Sequence, residues 1–107
     1  MLYGIYSMYD VAMKCYAQPF YQANDDVAKR TFSLAINNPK AETLYQIRDD
    51  LELWLIGYFD DRCGSIFFTN GEEKYKLESD CPRRIVGRGE AVIKAIEKES
   101  EENTNEV

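Results

Sequence analysis

The sequence predicts an α+β domain: an antiparallel sheet of four or five strands, with one helix after an N-terminal hairpin and a second helix towards the C-terminus. Three observations predict it. Residues 53–59, LWLIGYF, form a short uncharged run closed by Asp60-Asp61, too short for a buried helix and well suited to a buried strand. Asn24 opens a stretch in which apolar residues recur every three or four positions. Gly64 and Asn70-Gly71 then punctuate the runs that follow, as hairpin turns do.

In chain order, residues 2–9 alternate loosely and carry Tyr3, Ile5, Tyr6 and Tyr9, which predicts a strand. Residues 10–14 turn the chain. Residues 15–22 form a second, irregular extended segment that Pro19 assigns to a sheet edge. Asn24 is a preferred N-cap, and Asp25 and Asp26 follow where the helix dipole favours negative charge. Ala28, Phe32, Ala35 and Ile36 make the apolar stripe of the helix, with Lys29, Arg30 and Ser33 on its wetter side. Asn37-Asn38-Pro39 ends it. Residues 40–51 mix Leu44, Tyr45 and Ile47 with charges and leave room for a short helical turn.

The run 53–59 then reads as a strand apolar on both sides, with Leu53, Leu55 and Phe59 on one face and Trp54, Ile56 and Tyr58 on the other. Gly57 falls on the first face, at a position suited to close approach of another backbone. Residues 60–64 form a hairpin loop, residues 65–69 return as a strand, and Asn70-Gly71 leads into a third at residues 72–77. Residues 79–89, with Pro82, Gly87 and Gly89, read as a connection. Residues 90–99 read as the second helix, with Ala91, Val92, Ala95 and Ile96 along one face. The domain so defined spans residues 1–99, and residues 100–107 form an acidic tail expected to be disordered.

Composition narrows the function. At 45% hydrophobic and 30% charged, the chain has the balance of a globular domain and enough apolar residues for one modest core. No apolar run approaches the ~18 residues a membrane helix needs. The opening MLYGIYSMYD lacks the basic start and small-residue cleavage site of a signal peptide. The expectation is therefore no membrane partner and retention in the compartment of synthesis. Cys15, Cys63 and Cys81 are odd in number and widely spaced, as reduced thiols would be. With no histidine to supply a nitrogen ligand, neither a metal nor a cofactor is expected.

Three functional classes are compatible with these residues. Nucleic-acid binding needs positive charge against phosphates and aromatic faces for unpaired bases. Arg83, Arg84 and Arg88 lie within six residues, Lys74, Lys76 and Lys94 flank them, and Lys29 and Arg30 add a pair on the first helix. Tyr3, Tyr9, Tyr16, Tyr21, Tyr58 and Tyr75 supply rings, although strand tyrosines also serve simply to pack a sheet. The formal charge of −6 opposes this class, but residues 97–107 hold five acids and one lysine, leaving 14 acids and 12 bases in residues 1–96. A non-catalytic protein-interaction or self-assembly module, for instance a homodimer through an edge strand, accommodates the acidity more easily. Catalysis is the third class. The absence of histidine removes the commonest general base, and a faint D…E-x-K pattern of Asp60 or Asp61 with Glu72 and Lys74 also reads as a turn followed by surface charges. No enzymatic activity is expected.

A resemblance adds to this reading. Pro19, Phe20, Ala23, Asn24, Asp25, Ala28, Arg30 and Phe32, followed by Leu53, Gly57, Phe59, Asp60, Asp61, Gly64 and Ile66, occur in the order of two motifs of one family. Over roughly residues 3–66 the chain resembles the small nonstructural protein of gokushoviruses and related Microviridae, single-stranded DNA bacteriophages. One departure is Tyr21, where the family pattern has phenylalanine. The resemblance implies a DNA-binding accessory protein of genome replication or packaging, acting in the host bacterial cytoplasm with single-stranded DNA as partner. Arg83, Arg84, Arg88, Lys29, Arg30, Lys74 and Lys76 are the expected nucleic-acid contacts.

Overall fold

The computed structural model describes residues 1–70 and 80–94. These form an α+β fold whose described residues make one antiparallel sheet of six strands: β1 (Leu2–Asp10), β2 (Cys15–Tyr16), β3 (Phe20–Gln22), β4 (Leu51–Asp60), β5 (Ser65–Phe67) and β6 (Arg83–Val86). Among the described residues two α-helices accompany it, α1 (Asp25–Ile36) and the single turn α2 (Thr43–Gln46). The sequence run at residues 53–59 is the heart of β4, which lies at the sheet's centre. β4 pairs along its whole length with β1, from Leu2 opposite Asp60 to Asp10 opposite Leu51. Its other edge is shared by β5 at one end and β6 at the other. The free edge of β1 is shared in the same way by β2 and β3, so the segment around Pro19 does lie at an edge.

Local chemistry explains the elements around this pair. Asp10 turns the chain into β2 by accepting from the Ala12 and Met13 amides at 3.0 and 3.1 Å. Asn24 caps α1 by accepting from the Val27 amide at 2.9 Å. Gly64, at φ 72°, closes the β4–β5 hairpin in the left-handed region where only glycine is unstrained. The core lies between α1 and one sheet face: Ala28, Phe32 and Ile36 of the helix meet Tyr6, Leu51, Leu53, Leu55 and Val86. Burying side chains of this size contributes about 1.5–3 kcal/mol each.

Three expectations change. First, the alternation in β4 breaks. Ile5 opposes Gly57 while Tyr6 opposes Leu55, so Ile56 is an extra residue, a β-bulge. Beyond it the faces exchange: Tyr58 joins Leu53 and Leu55 on the core side, and Gly57 and Phe59 join Trp54 on the other. Gly57 is where a backbone comes close, since a Cβ there would lie 3.1 Å from the Phe67 carbonyl oxygen. Second, residues 83–86 are not a connection but a strand on β4. Third, residues 90–94 do not begin a helix. The Glu90 carboxylate folds back to accept from the Gly87 amide at 2.9 Å, and Asn37 at the end of α1 takes the Ala91 carbonyl and the Ile93 amide, both at 2.8 Å. Backbone groups committed to these partners are lost to a helix. The strand expected at residues 72–77, the rest of the helix expected to residue 99, and the acidic tail lie outside the described residues.

Candidate nucleic-acid interface

The sheet has two unlike faces. α1 covers one, and all its buried side chains belong to that core. No described helix covers the other. Strand register gives that open face Tyr3, Ile5, Ser7 and Tyr9 from β1, Tyr16 from β2, Tyr21 from β3, Glu52, Trp54, Gly57 and Phe59 from β4, Ile66 from β5 and Arg84 from β6. Its rings form two clusters. At one end Tyr9, Tyr16 and Trp54 pack with centroids 4.6–6.3 Å apart. At the other, Tyr21 lies 5.6 Å from Tyr3 and 6.3 Å from Phe59. Tyr3 and Tyr9 are six steps apart along β1, about 20 Å of extended chain. The rings are accessible: Tyr16 is 48% and Tyr21 62% exposed, with Ile66 at 66% beside them. An apolar groove of about 370 Å³ runs between Ile5, Pro19, Phe20, Tyr21, Phe59 and Ile66.

The expected basic contacts are distributed rather than gathered. Arg84 is the one cation that strand positions place on the open face among the described residues, and its Nη1 is 3.4 Å from Glu52 Oε2. Arg83 points to the opposite side and pairs with Asp25 at 3.3 Å. Arg88 pairs with Asp50. Each of the three therefore already faces a carboxylate. Lys29 and Arg30 are exposed on α1, the far side of the sheet from the rings. Lys29 there lines a cleft of about 460 Å³ with Tyr6, Asn24, Asp25, Asp26 and Tyr58, where the neighbouring carboxylates offset its charge. Lys74 and Lys76 lie outside the described residues.

Of the tyrosines expected to stack, Tyr3, Tyr9, Tyr16 and Tyr21 share the open face and Tyr58 does not. Tyr58 instead donates to Asp80 at 3.2 Å, and Tyr75 lies outside the described residues. Sequence reasoning missed Trp54, Phe59 and Glu52 as members of this face. The period-two spacing of Tyr3, Ile5, Ser7 and Tyr9 was the signal that could have found the surface. Of the D…E-x-K pattern, Glu72 and Lys74 lie outside the described residues, and Asp60 and Asp61 are otherwise engaged. Asp60 accepts from the Arg62 amide at 2.9 Å and from its guanidinium, which holds its carboxyl below the usual range, and Asp61 meets the N-terminal ammonium at 2.5 Å. Among the described residues no three cysteines or carboxylates come together as metal ligands.

This arrangement is that of a small α+β domain with one face packed on a helix and an open, ring-lined face opposite. The chain belongs to the phage ORF5 protein family, whose model matches residues 3–73. The match spans β1 to β5 and so includes most of the open face. No curated protein and no solved structure matches the chain.

Proposed function

We propose that this phage protein is a non-catalytic accessory factor of a small single-stranded DNA phage of the Microviridae type, binding single-stranded DNA during genome replication or packaging. The observation that carries the reading is the open sheet face with its two accessible ring clusters. Unpaired bases stack on exposed aromatic rings whatever their sequence, and a sheet surface is a recurrent platform for them. The reading differs from the sequence-based one in what supplies affinity. Stacking leads, and phosphate contact falls mainly to Arg84, the one of the three that strand register sets on the open face, although all three are ion-paired. Affinity should accordingly be modest and fall with salt.

A second reading has its own support. The formal charge of −6 and the pairing of all three arginines suit a protein partner, and aromatic rings with arginine are the residues enriched in protein interfaces. A fluorescence-anisotropy titration of labelled single-stranded oligonucleotide at two salt concentrations separates the two. Binding that weakens with salt and is lost in Trp54→Ala and Tyr21→Ala supports DNA. No binding at low salt, with self-association by light scattering that the same variants abolish, supports a protein interface.

A further inference from the structure

Glu52 is an unusual member of the open face. It is only 7% exposed, yet it lies among the rings near the start of the central strand, opposite Tyr9. Its Oε1 accepts from the Trp54 indole N–H at 3.0 Å, and its Oε2 faces Arg84 Nη1 at 3.4 Å. A nearly buried carboxylate needs such partners, because its charge is otherwise uncompensated. Arg84 is held less completely. Its side chain remains 58% exposed, and a guanidinium has five N–H donors of which Glu52 engages one. The arrangement thus presents an arginine to solvent while cancelling most of its field from beneath.

Resting on the nucleic-acid reading of this face, we infer that Glu52 is a built-in competitor of the DNA phosphate: it restrains Arg84 and holds down the affinity of the ring-lined surface. A phosphate arriving over Tyr16 and Trp54 meets a guanidinium it must share with a carboxylate of its own sign. Neutralising Glu52 frees Arg84 for that phosphate and removes the repulsion. Glutamine keeps a carbonyl to accept from Trp54, so the indole stays in place while the charge goes.

The test is the anisotropy titration of the full chain with a labelled oligothymidine, repeated from 0.05 to 0.3 M salt. Glu52→Gln should bind about fivefold tighter than wild type at 0.1 M salt, and its log–log salt slope should steepen by about 0.7, the increment for one more phosphate neutralised on a single strand. Arg84→Ala in the Glu52→Gln background should abolish both gains. Glu52→Leu, which replaces the carboxylate by an apolar side chain of similar size, should give the same tightening and covers the case in which the amide disturbs folding. Wild-type binding that Glu52→Gln and Glu52→Leu leave unchanged or weaken overturns the role of Glu52 alone. Absence of binding by wild type and both variants at low salt removes the DNA reading together with it.

Discussion

Tyr6 shows how much of the fold can rest on one side chain. Its ring lies back over Gly4, where an added Cβ would come 2.6 Å from the phenol oxygen, and that oxygen donates to Asp25 Oδ1 at 2.6 Å. Sheet and helix N-terminus are joined there. Burial, and then the Asp25 hydrogen bond and charge, push the Tyr6 pKa well above its ordinary 10. A folded-state pKa raised in this way contributes stability that is complete below pH 10 and is lost as pH rises from 10 towards the folded value. Denaturant unfolding should therefore show stability falling as pH rises above 10. Tyr6→Phe should flatten that fall while costing about 1 kcal/mol at neutral pH. Tyr58, raised in the same direction by burial, should leave part of the slope; a slope identical to wild type would detach Tyr6 from it. Cys81 gives a second prediction at this scale. Burial, helped by the Asp80 carboxylate, pushes its thiol up to about 11, whereas Cys15 and Cys63 are exposed. Since the thiolate is the nucleophile, iodoacetamide at pH 8 should modify Cys81 about a hundredfold more slowly than an ordinary exposed thiol. Peptide mapping over time reads this directly, with equal rates in denaturant as the reference.

Elements differ in how far they can be read from the chain. α1 was legible because its determinants are local: the Asn24 cap, the acidic first turn and the spacing of Ala28, Phe32 and Ile36 all lie within the helix or beside it. Replacing Asn24 with alanine should cost about 1 kcal/mol in denaturant unfolding, and no loss would mean that tertiary packing alone holds the helix start. β6 was not legible, because Ile85-Val86 is too short a strand-favouring run to stand out between Pro82 and the glycines at 87 and 89. The free edge of β4 supplies its pairing, and Asp25 and Glu52, 58 and 32 residues away, receive its arginines. The bulge in β4 has the same origin. Its alternation looks regular in isolation and is broken only by register with β1. That residues 90–94 do not begin the expected helix likewise comes from Asn37, more than fifty residues earlier.

At the scale of the whole molecule, chemistry has been divided between the two sides of one sheet. Most expected cations sit with carboxylates or on the helix side, while the accessible rings collect opposite. The tyrosines were visible in the sequence as types, but their grouping was not, because it depends on which strands become neighbours. If bases stack on this surface, Trp54→Ala and Tyr21→Ala should each lose about 1–3 kcal/mol of oligonucleotide affinity. Lys29→Ala and Arg30→Ala, on the far side, should change affinity little; the reverse pattern would move the DNA to the helix side.

The extra residue at Ile56 carries a genetic corollary. Excising that single codon would restore strict up-and-down order along the ribbon and leave both halves facing as they do now, whereas inserting one codon beside it would turn the distal half over. The phenylalanine now facing outward would then be driven under the helix, and the tyrosine anchored to Asp80 would be thrown into water. An insertion this small in the middle of a well-formed strand should thus be worse tolerated than one in the neighbouring loop at positions 61–63, because a loop can absorb the added length and a pleat cannot.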